Sequence, residues 1–298
     1  MHITVTGAAG FVGRAVAERI ASERPDVALL LVDRAFDRTP VAPTLEGDLT
    51  DAGFLREVCA CSDVVIHLVA LPGGAAEQDP AASRAINLDM PLALIDAMAG
   101  RRLVIAGSIA VFGSALPAQV DDATPIRPAS VYGTHKAMVE LAFADAVRRG
   151  VVAGMVLRLP GIVARTEAGG GFGSAFLSDV FHAARDGRRY TLPVAPDATS
   201  WLMSARMCAA NLVMAALGSD SVPDAVTLPA LRVRMSDLIA ELGGHGDVRG
   251  IDHAEDADLR RMFGSYPPLA TLRADALGFA HDGTLAQLVA AAFKAGEG

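Results

Sequence analysis

Tyr132 and Lys136 stand four residues apart in Tyr132-Gly133-Thr134-His135-Lys136, at the start of a stretch with helical periodicity. On a helix that spacing puts a phenol and an ammonium on one face, roughly 5–6 Å apart at Cβ. The neighbouring charge stabilises the phenolate and brings a tyrosine pKa from about 10 toward neutral pH. Such a tyrosine can take the proton of a substrate hydroxyl while a hydride leaves the same carbon. A compact ammonium suits this work better than a guanidinium, since it can also reach a ribose hydroxyl. Of 26 basic residues only Lys136 and Lys294 are lysines, which weakens the reading of an incidental exposed pair. Ser108, in Gly107-Ser108-Ile109-Ala110-Val111-Phe112-Gly113, could bond both the reacting oxygen and the Tyr132 phenol; taken alone it reads as a turn residue.

A second group of residues suits a nucleotide. Gly7-Ala8-Ala9-Gly10-Phe11-Val12-Gly13 lies between a first strand and a first helix. Gly7 permits the turn, Gly10 lets the backbone approach a diphosphate, and Gly13 lets helix and strand pack closely, while the helix N-terminus points its amides at the phosphates. Asp33, about twenty residues on, ends the second strand and can accept hydrogen bonds from ribose hydroxyls. Its charge repels a 2′-phosphate, so NAD is expected rather than NADP. Arg34 has two readings, a host for that phosphate or a surface charge that stacks on adenine. Asp48, in Gly47-Asp48-Leu49, could cap the helix beginning near Asp51 or face the adenine.

The elements that must hold these groups alternate along the first half. Strands are expected at residues 3–6, 27–32, 63–68, 103–106 and 152–157, with a further one before Gly47; helices are expected at 11–21, 52–59, 83–98 and 131–149. Six strands alternating with helices give an α/β fold, a doubly wound parallel sheet of the Rossmann kind. Ser108 then faces the same crevice as the glycine loop, because ligands bind beyond the carboxyl ends of such strands. After Arg158 the texture changes to shorter segments, a glycine run at 169–173 and scattered prolines. The expected division is a nucleotide-binding domain over 1–160 and a smaller C-terminal substrate lobe over 161–298, partly interleaved with the first.

Composition excludes several functions. A chain of 298 residues with 52% hydrophobic residues can build a sizeable core. Its net charge of -8 argues against nucleic acid as a partner. The apolar runs are too short for a membrane span, and the opening residues do not read as a signal peptide. Three cysteines without a spaced framework fit a reducing cytoplasm, and the scattered histidines offer no metal site.

Together these features resemble the extended short-chain dehydrogenases/reductases, the NAD-dependent epimerase/dehydratase family, over essentially the whole chain. The matching pieces are Thr6 to Gly13, Asp33, Gly47-Asp48-Leu49, residues 64–68, Asn87, Ser108 to Gly113 and the Tyr132–Lys136 motif. The resemblance implies that Ser108, Tyr132 and Lys136 are the catalytic triad. It also implies that Gly7, Gly10, Phe11, Val12, Gly13, Asp33, Arg34, Asp48, Leu49 and Asn87, with Tyr132 and Lys136, bind NAD. A homodimer through the helices around 87–98 and 131–149 is implied too. Within the family the second half resembles the D-erythronate dehydrogenases, on Leu157-Arg158-Leu159-Pro160, Gly171-Phe172-Gly173-Ser174, Leu192-Pro193-Val194, Trp201, Ser204, Arg206, Arg273 to Phe279 and Asp282. Those enzymes oxidise a four-carbon sugar acid at C2.

Three functions remain in view. The first is NAD-dependent oxidation of the C2 hydroxyl of a small sugar acid such as D-erythronate, with Tyr132 taking the proton. Arg165 and Arg206 are then candidate carboxylate anchors and Ser174 is a hydroxyl partner, while the alternative for Arg158 is a structural role at the strand end. The second is a nucleotide-sugar epimerase or dehydratase with tightly bound NAD. Against it, Gly161 stands where such enzymes carry an asparagine that helps hold the substrate diphosphate; against the first, Ser200 replaces a histidine before the residue matching Trp201. The third is a nucleotide-binding regulator without catalysis, disfavoured by the intact Ser108, Tyr132 and Lys136.

Overall fold

The computed structural model describes residues 1–165, 173–219, 222 and 225–294. From the N-terminus run β1 (His2–Thr6), α1 (Phe11–Glu23), β2 (Ala28–Asp33), β3 (Thr44–Glu46), α2 (Ala52–Ala60), β4 (Val64–His67), α3 (Gly73–Gln78), α4 (Pro80–Arg84), α5 (Met90–Ala97), β5 (Arg102–Ser108), α6 (Val131–Arg148) and β6 (Ala153–Leu159). There follow β7 (Gly161–Val163), α7 (Phe176–Asp186), β8 (Tyr190–Leu192), β9 (Thr199–Ser204), α8 (Ala205–Leu217), β10 (Val226–Thr227), β11 (Leu231–Arg234), α9 (Met235–Leu242), β12 (Ile251–His253), α10 (Ala257–Phe263), α11 (Leu272–Ala276) and α12 (Leu285–Lys294).

By its contacts the chain divides into two compact units. The first comprises Met1–Val111, Pro128–Leu159 and Ala209–Thr227; the second comprises Phe112–Arg127, Pro160–Cys208 and Leu228–Gly298. The first unit is built on a 7-stranded sheet in the order β10-β6-β5-β4-β1-β2-β3. All its pairings are parallel, so this is the doubly wound α/β fold expected. The chain order reverses between β1 and β4, which lie side by side although the 57 residues 7–63 separate them along the chain.

 The pairing is in register from Ile3 with Val64 to Thr6 with His67. That reversal point is where an open parallel sheet binds ligands beyond its strand ends.

Burial on both faces explains the near-continuous apolar strands, and the polar residues among them are paired inside. The Thr4 and Ser62 hydroxyls lie 2.6 Å apart, and Thr6 Oγ1 lies 2.8 Å from His67 Nδ1. The core of this unit packs Val32, Leu55, Val65, Leu94, Leu103 and Phe143 between sheet and helices. Two sequence expectations are corrected. The sheet has a seventh strand, β10, whose two residues are too short for any periodicity. The expected helix over 83–98 begins instead at Pro80 and widens into a π-type turn at Ala85–Asp89 before α5. Pro91 lacks an N–H to continue the regular ladder and crowds the carbonyl four residues back, which accounts for the wide turn.

The second unit holds a 3-stranded sheet, β11-β9-β7, and a 2-stranded one, β12-β8. Its core gathers Phe176, Val180, Leu192, Leu202, Met235 and Leu288. Trp201 is buried here: its indole N–H donates to Pro267 O at 2.7 Å, and its ring lies 4.6 Å from that of Tyr266. Of the glycine run expected as a loop, residues 169–172 lie outside the described residues. No helix among the described residues is long and apolar enough to cross a membrane.

A buried carboxylate ties the C-terminal segment to this unit. Asp282 accepts the Ser204 N–H at 2.8 Å and the Ser204 hydroxyl, at the junction of β9 and α8. Charge-assisted bonds of this kind contribute more than neutral ones. Asp282→Ala should therefore cost about 2–3 kcal/mol, read as a lower urea midpoint. Asp282→Asn keeps an acceptor and should lose less; an unchanged midpoint in the alanine variant would show that the pair contributes nothing.

Candidate active site

The loop between β1 and α1 is shaped by its own packing. Gly7 has φ +74°, and a Cβ there would stand 2.9 Å from Val69 N, just beyond β4. A Cβ on Gly13 would stand 2.1 Å from Gly7 O. A Cβ on Gly10 would stand 3.1 Å from Gly7 O, and among the described residues no side chain caps the α1 N-terminus there. Phe11, Val12 and Gly13 form the first turn, so their amides belong to the helix end that favours anions. Asp33 is pinned beside this loop: Oδ2 accepts Ala9 N at 2.9 Å and Oδ1 accepts Arg34 N at 2.8 Å. Each oxygen keeps acceptor capacity for a ribose hydroxyl. These residues could therefore hold a dinucleotide, Gly10 leaving room for its diphosphate and Asp33 offering acceptors to its adenosine ribose.

Beyond Asp33, the exposed Arg34 guanidinium pairs with Asp48 at 2.8 Å. Asp48 also accepts Thr50 N at 2.9 Å and the Thr50 hydroxyl at 2.8 Å. Those Thr50 bonds, then Arg34, hold its carboxyl below the usual carboxylate range. The expectation that Asp48 caps the helix near Asp51 is corrected: Asp51 itself caps α2, accepting Phe54 N at 2.8 Å, because the helix starts one residue after it. Leu49 is buried in the core with Val32 and Leu55.

The Tyr132 motif opens α6 behind a serine cap, with Ser130 Oγ accepting Gly133 N at 3.0 Å. A Cβ on Gly133 would come 2.5 Å from Ala110 O, so the helix start lies tight against the turn that follows Ser108. Lys136 is only 3% exposed; its ammonium donates to Ala106 O at 2.8 Å and sits 5.7 Å from the centre of the Tyr132 ring. Burial pulls its pKa down to about 8, against the upward pull of Glu140. Ser108 ends β5, two residues beyond Ala106, and its Oγ accepts Ala110 N at 3.1 Å. That bond uses a lone pair and not the hydroxyl hydrogen. A buried ammonium beside a phenol can stabilise the phenolate, which is the requirement for proton abstraction.

Several residues of this neighbourhood were not singled out from the sequence. Glu140 lies one turn beyond Lys136, a continuation of the same spacing that was there to be read. Arg158, on β6, grips it with Nη2–Oε2 at 2.8 Å and Nε at 3.1 Å from Oε2. Burial raises the Glu140 carboxyl, and Arg158 and Lys136 oppose that rise. His67 is wholly buried at the end of β4, and burial together with Lys136 lowers its pKa to about 3, so the ring is neutral. Its Nε2 has no hydrogen-bond partner among the described residues. A lone histidine in an apolar strand carries no signal of this in sequence.

Asn87, in the π-type turn, is buried and engaged with the chain beyond β4. Its Nδ2 donates to Leu71 O at 2.9 Å and to Ser83 Oγ at 3.0 Å, while Oδ1 accepts Leu71 N at 2.9 Å. Ser83 Oγ lies 2.9 Å from His135 Nδ1, so this network reaches the Tyr132 motif.

The residues considered for a substrate carboxylate lie in the second unit. The backbone of Arg165 is held by Ser178 Oγ, at 3.1 Å from its N–H, and by His182 Nε2 at its carbonyl. Ser174 belongs to the short turn before α7, and Arg206 is exposed in the first turn of α8. Neither arginine forms an ion pair among the described residues. Gly161 pairs with Leu202 across β7 and β9, and a Cβ there would stand 3.0 Å from Trp201 O and 3.1 Å from Leu202 Cδ2. Ser200 is buried, its hydroxyl donating to Phe263 O.

Comparison with known proteins gives a consistent picture. The model of the NAD dependent epimerase/dehydratase family matches residues 3–220. A D-erythronate dehydrogenase of Cupriavidus necator is 31% identical, covering 98% of this chain and 97% of its own. A D-erythronate dehydrogenase of Haemophilus influenzae is 28% identical, covering 97% and 98% respectively. The crystal structure of a nucleoside-diphosphate-sugar epimerase from Agrobacterium tumefaciens superposes with a TM-score of 0.85 at 29% identity, over 97% of this chain and 92% of that one. With a glycine turn at the reversal point of a parallel sheet, an acid ending β2 and a buried lysine one turn from a tyrosine, the chain belongs to the NAD dependent epimerase/dehydratase family.

Proposed function

We propose that the chain is an NAD-dependent dehydrogenase that oxidises the C2 hydroxyl of a small sugar acid, D-erythronate or a near relative. The observation that carries the oxidoreductase reading is the buried Lys136 ammonium beside Tyr132. Tyr132, as phenolate, accepts the hydroxyl proton, and Ser108 holds the reacting oxygen through its hydroxyl hydrogen. The two electrons of the C2–H bond leave with the hydrogen as hydride, so the alcohol becomes a ketone. Bound NAD supplies the hydride acceptor. Lys136 keeps the phenolate stable and would bond the nicotinamide ribose, while the glycine loop and Asp33 would hold the other half of the dinucleotide. Leu49 and Asn87 act here through the backbone they support.

The sugar-acid substrate draws support from the two D-erythronate dehydrogenases that align over nearly the whole chain. Packing around Gly161 supports it as well, because a side chain would be crowded at the position where a diphosphate-holding asparagine would be expected. Arg165 and Arg206 are the candidate anchors for the carboxylate, with Ser174 as a hydroxyl partner. A second reading, a nucleotide-sugar epimerase or dehydratase, has the Agrobacterium tumefaciens structure in its favour. We also propose a homodimer through α5 and α6, where Met138 and Leu141 present apolar side chains to solvent. A cytoplasmic location fits the three free cysteines.

Tyr132→Phe should lower turnover by roughly two to four orders of magnitude with cofactor affinity nearly unchanged; turnover near wild type would move the base elsewhere. In kcat/KM, NAD should be preferred over NADP, since Asp33 repels a 2′-phosphate and Arg34 is engaged by Asp48; parity between the two would give Arg34 the opposite role. D-erythronate or a close aldonate should release one NADH per turnover, and Arg165→Ala or Arg206→Ala should raise KM on the order of tenfold or more. Interconversion of a UDP-sugar, with no acid oxidised, would instead favour the second reading.

A further inference from the structure

Tyr132, Lys136 and Glu140 follow one another at four-residue intervals along α6, so they share one face of the helix. That face is buried: Lys136 is 3% and Glu140 4% exposed, and the Arg158 side chain that grips Glu140 is 12% exposed. A buried ion pair is seldom worth more to stability than an apolar pair of the same size. Two charged residues kept behind a reactive lysine therefore call for a reason other than packing. The remaining groups around Lys136 do not supply its counter-charge. From β4 it faces His67, a neutral ring, and from β5 the Ala106 carbonyl. On α3, Glu77 is taken up by Val131 N at 2.6 Å. Arg84 and Asp89 pair with each other at the surface, Asp96 of α5 is exposed, and Arg102 of β5 donates to Ala215 O. Among the described residues Glu140 is thus the one carboxylate on the buried face of α6, and Arg158 fixes its orientation by three contacts of 2.8, 3.1 and 3.2 Å.

We propose that Glu140 is a positioning residue for the reaction: clamped by Arg158, its carboxylate keeps Lys136 in the ammonium form beside Tyr132 and so sets the upper pH limit of catalysis. Glu140 touches neither substrate nor cofactor; it acts through Lys136. The proposal rests on Lys136 being the partner of Tyr132. The sign follows from charge. Replacing Glu140 by glutamine removes a negative neighbour and takes from the Arg158 cation its Glu140 carboxylate, and both changes disfavour the ammonium.

The chain's two lysines make a direct measurement possible. Protein labelled with 13C at lysine Cε should give one signal from Lys136 and one from Lys294, assigned with Lys294→Arg and titrated against pH. In Glu140→Gln the Lys136 midpoint should fall by roughly one pH unit, and the alkaline limb of kcat/KM should fall with it. Glu140→Asp should restore part of the shift. If the single change prevents folding, Glu140→Gln/Arg158→Met removes both buried charges together and should lower the midpoint by less. A Lys136 midpoint at the wild-type value in these folded variants, whatever happens to Tm, would leave Glu140 a purely structural residue and overturn the proposal. The titration needs no substrate, so it is separable from a failure of the sugar-acid reading, which Tyr132→Phe reports.

Discussion

A positive charge buried in a protein is costly unless other groups in the interior compensate for it, and in this fold that condition falls on Lys136. Its ammonium is held by the Ala106 carbonyl of β5 and is favoured by the charge of Glu140, which is held in turn by Arg158 of β6. Three elements, α6, β5 and β6, are thereby fixed against one another by charge as well as by packing. The helix must enter where Gly133 meets Ala110, and β5 must end at Ser108, two residues beyond the Ala106 carbonyl that holds Lys136. Tyr132 inherits its position from these constraints. Slippage of α6 by one residue would carry all three side chains of the ladder off the buried face.

The nucleotide side depends on a different constraint, the close approach of backbones at the sheet's reversal point. Gly7 lies against Val69 beyond β4, so the loop after β1 packs where a side chain would collide with main chain. Asp33 secures the same loop from β2 through Ala9. Asn87 braces the segment after β4 through both bonds to Leu71. The residues named for cofactor and chemistry thus cluster at the carboxyl ends of β1, β2, β4 and β5, all in one compact unit, as parallel sheets require.

In the second unit the constraint at Gly161 is one of space. At Gly161 the pairing of β7 with β9 brings Trp201 and Leu202 within the reach of a single Cβ. Trp201 and Ser200 are themselves committed to the interior, through Pro267 and Phe263, and so contribute rigidity to that face of the strand. The cations considered for a carboxylate stand apart from this packing, Arg206 exposed on α8 and Arg165 held by its backbone.

The sequence by itself determined what depends on near neighbours. Glycines between a strand and a helix, an acid at the end of β2, and a tyrosine and lysine at helical spacing are local patterns, and each leads directly to a local geometry. The alternation of apolar runs was enough for the doubly wound sheet, because strands covered on both faces must be apolar throughout. Tertiary structure decided the contacts between distant residues. It gave Arg34 to Asp48, Arg158 to Glu140, Asn87 to Leu71 and Asp282 to Ser204. It also moved the cap of α2 to Asp51, added the two-residue strand β10 at the sheet edge, and crowded Gly161. Side-chain type states what a group can bond. Only the folded chain brings a particular partner within reach, because burial removes water as the alternative.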